Sequence, residues 1–162
     1  MMTESVKKMT IGNVCFIRDV ANRRVLLLKR NREPMKDLYT GVGGKTNFFE
    51  DIHASCLREV QEETGLIVTD LKCNGVLKTL LDGKDSSWIL FVYTADHFTG
   101  EQISCDEGEL VWVPYDQVFS FPLVGFIREI LPQILFDDCF VEGTVRHNMG
   151  GLVLEKTLRQ FS

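Results

Sequence analysis

The chain has 162 residues, of which 44% are apolar and 25% charged, and carries a net charge of −5. That length is enough for one domain with its own core, spanning 1–162, and the composition is that of an ordinary soluble globular protein. Net negative charge argues against a nucleic-acid polymer as partner, but not against an anionic small molecule bridged to the protein by a divalent ion. No apolar run approaches 18 residues and the first residues form no hydrophobic leader, so the expected location is cytoplasmic, without membrane contact. Five scattered cysteines (15, 56, 73, 105, 139) without a C-x-x-C pair read as reduced thiols, and three histidines more than forty residues apart give no zinc pattern.

Residues 1–8 are polar and expected to fray. Residues 10–18 predict a strand, 19–23 a turn, and Val25-Leu26-Leu27-Leu28 a central strand covered on both faces. A loop over 31–40 leads through Gly41 and Gly43 to a helix over about 51–64, with Asp51 as N-cap and Gly65 as C-terminal stop. Strands over about 73–81 and 87–95 flank an Asp82-Gly83-Lys84-Asp85 turn, and 110–113 adds a short strand. Residues 123–136 are apolar enough for a packing helix that Pro132 must kink or shorten. The chain ends in a hairpin, 140–146 and 152–160, around Asn148-Met149-Gly150-Gly151. Strands on both sides of two packing helices predict an α/β fold with a mixed central sheet between helices.

One segment carries chemistry. Residues 44–66 read Gly-Lys-Thr-Asn-Phe-Phe-Glu-Asp-Ile-His-Ala-Ser-Cys-Leu-Arg-Glu-Val-Gln-Glu-Glu-Thr-Gly-Leu. At about 100° per residue, Glu59, Glu62 and Glu63 fall within roughly 100° of arc on one helix face. An isolated E-x-x-E-E is most simply a solvated acidic face. Here Ile52, Cys56, Leu57 and Val60 form an apolar stripe beside it, which puts the carboxylates at the edge of the buried face. Three carboxylates so placed repel one another, and a hard cation, Mg²⁺ or Mn²⁺, turns that repulsion into a site.

The segment resembles the signature of the Nudix hydrolases, G-x5-E-x7-R-E-U-x-E-E-x-G-U with U apolar, at every fixed position: Gly44, Glu50, Arg58, Glu59, Val60, Glu62, Glu63, Gly65 and Leu66. Leu38-Tyr39-Thr40-Gly41-Val42-Gly43-Gly44-Lys45 is similar to the lead-in of the MutT-like, oxidised-nucleotide branch, and 106–114 resembles the strand and loop that complete its site. The resemblance implies an α/β/α sandwich and a Mg²⁺-dependent hydrolase of phosphoanhydride bonds. It implies Glu59 and Glu63 as metal ligands, Glu62 coordinating or acting one shell out, and a backbone carbonyl of Gly43 or Gly44 as a further ligand. Arg58 is expected to orient the segment by pairing with a loop carboxylate such as Glu50.

Glu107, five residues before Trp112, is favoured over Glu109 as a further ligand or the general base; a solvated acidic loop is the alternative. Lys45 is a candidate phosphate contact, but not through a P-loop, because Tyr39 stands where that motif needs glycine. Lys29 and Arg30 meet the phosphates or face solvent; Tyr39 and Trp112 stack on a base or pack in the core. Phe48-Phe49 replaces the residues usual before the first signature glutamate and forms a candidate partner or homodimer contact. Thr40 stands where relatives that read 8-oxoguanine often carry Asn, which weakens a claim for that base. The expected function is hydrolysis of a nucleoside triphosphate, such as an oxidised purine dNTP, to monophosphate and pyrophosphate. The alternatives are another nucleoside diphosphate derivative (ADP-ribose, a nucleotide sugar, a dinucleoside polyphosphate) or a nucleotide sensor that does not cleave.

Overall fold

Alternating side chains along two strands set the architecture. In β1 (Lys8–Asp19), Val14 and Phe16 enter one core while Cys15 and Ile17 enter another; in β2 (Arg24–Arg30), Val25 and Leu27 go to the first and Leu26 and Leu28 to the second. A period of two with both faces apolar is the pattern of a strand buried between two layers. The computed structural model describes residues 6–162, so most of the stretch expected to fray lies outside the described residues, and β1 begins at Lys8.

The remaining strands are β3 (Tyr39–Thr40), β4 (Ile67–Val68), β5 (Lys72–Leu81), β6 (Ser86–Ala95), β7 (Phe98–Thr99), β8 (Gly108–Pro114), β9 (Phe140–His147) and β10 (Val153–Phe161). The main sheet runs β10-β9-β5-β6-β1-β2-β3, with β8 also paired to β2. It is mixed: β1 lies parallel to β6 and β5 parallel to β9, and the other pairs are antiparallel. Helix α1 (Ile52–Thr64) covers one face through Cys56 and Val60; α2 (Gly125–Pro132) covers the other through Ile127, Ile130 and Leu131. The α/β sandwich expected from the sequence is therefore present.

Pro132, which has no N–H to continue the ladder, shortens the second helix as expected, and the chain passes into a π-turn over Gln133–Asp137. Two details depart from expectation. The stretch 31–40 is not all loop, because Tyr39 and Thr40 pair with Lys29 and Leu28. The two-residue strands β4 and β7 pair with each other and are too short to leave a periodic signal. Among the described residues no helix is long and apolar enough to cross a membrane, and all five cysteines are free.

Helix α1 starts and stops as its sequence predicts. Asp51 accepts a hydrogen bond from the Ala54 N–H at 3.0 Å, and Gly65 closes the helix at φ 77°. Asp51→Ala leaves those N–H groups uncapped and should cost about 1 kcal/mol in a urea melt. A loss under about 0.2 kcal/mol would mean that tertiary packing alone sets the start of the helix.

Candidate active site

The loop before α1 lies against β1. The Asn13 N–H donates to the Gly44 carbonyl at 2.9 Å, and the Thr46 N–H donates to the Ile11 carbonyl at 2.9 Å. Gly43 holds φ 151°, and a side chain there would run into the Asn13 carbonyl. A Cβ on Gly44 would stand 2.6–2.7 Å from the Glu59 carboxyl group. The glycines are thus required so that helix and loop can close on each other. Beneath them a buried polar chain joins three elements: Asn13 Nδ2 donates to Ser55 Oγ at 3.0 Å, and Thr46 Oγ1 lies 3.0 Å from the same oxygen.

Arg58 ties the loop to the helix. Its Nε and one terminal nitrogen hold Glu50 in bidentate fashion at 2.6 and 2.9 Å. The same nitrogen donates to the Lys45 carbonyl at 3.2 Å, and the other donates to Glu59 at 3.0 Å and Glu62 at 3.1 Å. The guanidinium holds the Glu50 carboxyl down at about 2, well below the ordinary carboxylate range. The expected Arg58–Glu50 pair is present.

The carboxylates differ in setting. Glu62 faces solvent apart from Arg58. Burial pushes Glu59 up, opposed by Arg58 and reinforced by Glu62 and Glu107. Glu63 is only 6% exposed and accepts from the Gly43 N–H at 2.8 Å. Burial, with Glu107 and Glu59 nearby, raises its carboxyl to about 8 despite that hydrogen bond. Glu107 comes from the loop before β8 and shares with Glu63 a cavity of about 290 Å³ that also reaches Gly43, Gly44, Thr40 and Arg30.

Some expected contacts lie elsewhere. Lys45 is exposed and lines a groove on the far side of the loop with Phe48 and Ile52. Tyr39 packs edge-on against Phe121, ring centroids 5.0 Å apart, and borders a separate groove with Lys29. Its neighbour Thr40 points the other way along the strand and reaches the cavity. Trp112 stacks on Phe98 beneath Arg24, on the α1 side of the sheet. Glu109 pairs in register with Lys29, outside the cavity. Phe48 and Phe49 are 92% and 97% exposed. Sequence reasoning passed over Asn13, although a polar residue inside a buried apolar strand is itself a signal. It also passed over Thr79, Ser86, Trp88 and His147, which line the same cavity from β5, β6 and β9.

The donor set suits a hard cation. Burial, reinforced by Glu107 and Glu59 nearby, keeps a proton on Glu63 near neutral pH. Among the described residues no three acidic, His or Cys side chains converge closely enough to ligate one ion as they stand. The cause is local: Glu59 and Glu62 are turned to Arg58, and Glu63 to the Gly43 N–H.

A carboxyl raised from 4.5 to about 8 takes up a proton on folding between those values. Its contribution is therefore complete below pH ~4.5 and is lost as pH rises towards ~8. In a chelator, the melting temperature should fall across that interval, and Glu63→Gln should flatten the fall. An equally steep slope in the variant would mean that Glu63 ionises freely.

Residues 9–134 match the family model described as NUDIX domain. The Nudix hydrolase YvcI of Bacillus subtilis, itself uncharacterised, is 29% identical over 125 residues, covering 75% of this chain and 77% of that one. The oxidized purine nucleoside triphosphate hydrolase of Danio rerio is 30% identical over 108 residues, covering 64% and 69%. A MutT protein from Bacillus halodurans superposes with a TM-score of 0.82 at 28% identity, covering 92% of this chain and 97% of that one. The chain belongs to the Nudix family of hydrolases, which act on phosphoanhydride bonds.

Proposed function

We propose that this protein is a Mg²⁺-dependent nucleoside triphosphate pyrophosphohydrolase that accepts oxidised purine dNTPs such as 8-oxo-dGTP, releasing monophosphate and pyrophosphate. The observation that carries it is buried Glu63 beside solvent-exposed Glu107 at one end of a cavity lined by two glycines of the loop. Similarity to the Danio rerio enzyme, whose name gives oxidised purine triphosphates as its substrate, supports the choice of substrate.

In this reading Glu59 and Glu63, with a carbonyl of Gly43 or Gly44, would hold the ion, Glu62 would act beside them, and Glu107 would serve as a further ligand or as the general base. A bound divalent ion neutralises charge on phosphate oxygens and lowers the pKa of a water in its shell. Arg58 keeps Glu59 and the loop in place. Arg30 stands at the cavity wall, its Nε held by the Pro34 carbonyl at 3.0 Å, leaving its terminal nitrogens for phosphate. As the general base Glu107 would take the proton of the attacking water, a role that Glu109, facing away beside Lys29, is badly placed to fill.

The test is steady-state hydrolysis of 8-oxo-dGTP and dGTP with Mg²⁺, products identified by mass. The wild type should yield monophosphate and pyrophosphate and favour 8-oxo-dGTP by a factor on the order of tens, as one or two hydrogen bonds to the base edge would give. Glu59→Gln should lower kcat by roughly 10²- to 10⁴-fold while leaving the fold intact. Near wild-type turnover in Glu59→Gln would remove it from the ion's shell. Cleavage of ADP-ribose or a nucleotide sugar with triphosphates untouched would assign the site to those diphosphates instead.

A further inference from the structure

The cavity has an inner wall that the hydrolysis itself does not use. From the loop it crosses the sheet from β1 through β6 and β5 to β9, three interstrand steps or about 14 Å. The carboxylates lie at one end. Near the middle stands Trp88, whose ring lies over Gly12 so closely that a Cβ there would meet it at 2.6 Å. At the far end are His147, 4% exposed, and Thr79, 6% exposed, with Ser86 beside them. Leu81, Leu90 and Phe126 make the rest of that end apolar.

The imidazole of His147 is oriented. Its Nδ1 lies 3.2 Å from the Asn148 carbonyl. A carbonyl only accepts, so Nδ1 carries a hydrogen, and in the tautomer this contact selects Nε2 is the acceptor. The Phe126 ring lies 6.2 Å away at 30° and holds the plane. Nε2 bonds to no described residue, and neither does the Thr79 or Ser86 hydroxyl. Yet Asn13 Oδ1 is the only described side-chain polar atom sealed off without a partner. The buried His147 and Thr79 groups therefore open on the cavity, while Ser86, at its rim, also borders a surface groove with Lys84 and Asp85.

A histidine serving only the core would be expected to use both nitrogens within the protein. This one presents an acceptor beside two hydroxyls in an otherwise apolar recess, a pattern that fits fixing a small flat ligand. Resting on the nucleoside triphosphate reading above, we propose that His147 determines base specificity. In this proposal the base lodges in the inner end of the cavity. His147 Nε2 accepts a hydrogen bond from a base N–H, and Thr79 or Ser86 donates to the neighbouring carbonyl. The ligand class is a purine with a lactam edge, N–H beside C=O, in preference to a purine lacking those groups.

The test compares kcat/KM for dGTP with that for the triphosphate of unsubstituted purine deoxyriboside, which has no N–H or carbonyl on its base. The wild type should prefer dGTP by about tenfold to a hundredfold. In His147→Phe the preference should collapse to about twofold, through the KM for dGTP, with kcat on unsubstituted purine little changed. His147→Gln, which restores an acceptor, should recover part of the preference and guards against a loss of fold in the phenylalanine variant. A preference undiminished in both variants, or an equal fall on both nucleotides, would overturn the assignment and leave His147 a packing residue. A wild type that cleaved neither nucleotide would defeat the triphosphate reading itself, and this inference with it.

Discussion

Everything at the catalytic end depends on how one guanidinium is spent. Arg58 has five N–H groups and the structure gives each a partner: two to Glu50, one to Glu59, one to Glu62 and one to the Lys45 carbonyl. Lysine has three donors and no planar fork, and could not join loop and helix in this way. The consequence is a sorting of carboxylates. Glu50 is fully committed and stays ionised, Glu59 and Glu62 are partly engaged, and Glu63 lies beyond reach of the cation. Glu63 is buried with one backbone N–H and acidic neighbours, and burial first of all makes it hold a proton to about pH 8.

That arrangement stores the need for a second cation. Burying carboxylates beside one another is unfavourable unless charge is neutralised, and a proton is the weaker of the two available means. In the proposed function a divalent ion would exchange that proton for two positive charges beside the substrate's phosphates, which would let an acidic protein hold an anionic substrate. The glycines at 43 and 44 make the approach possible, because any side chain there would meet the Asn13 carbonyl or Glu59. The lead from loop to cavity is therefore a matter of excluded volume as much as of charge.

The sequence exposes this end well and the other poorly, for physical reasons. Helix period, cap residues and signature spacing are local, so Asp51, Gly65 and the facing of Glu59 and Glu63 could be read directly. The pairing of Arg58 with Glu50 is eight residues apart and follows from the same spacing. The cavity's inner wall is a product of strand order: Thr79, Ser86 and His147 meet only because β5 lies between β6 and β9. Nothing local signals that juxtaposition. The same holds for Arg18, buried against Asp96 and the Ile134 carbonyl, which reads in sequence as the polar end of a strand. Tyr39 and Lys45 adjoin residues of the site in sequence, but in extended chain a side-chain period of two carries them away from the cavity.

Burial of Glu63 beside Glu59 and Glu107 keeps a proton on it, and in the proposed function a divalent ion displaces that proton. The direct measurement is Mn²⁺ titration of the chelator-free protein at pH 7 by calorimetry in two buffers of different ionisation enthalpy, which counts protons released per ion bound. The account predicts close to one proton per first ion in the wild type and close to none in Glu63→Gln. Binding of Mn²⁺ without proton release in the wild type, or the same release in both proteins, would contradict it.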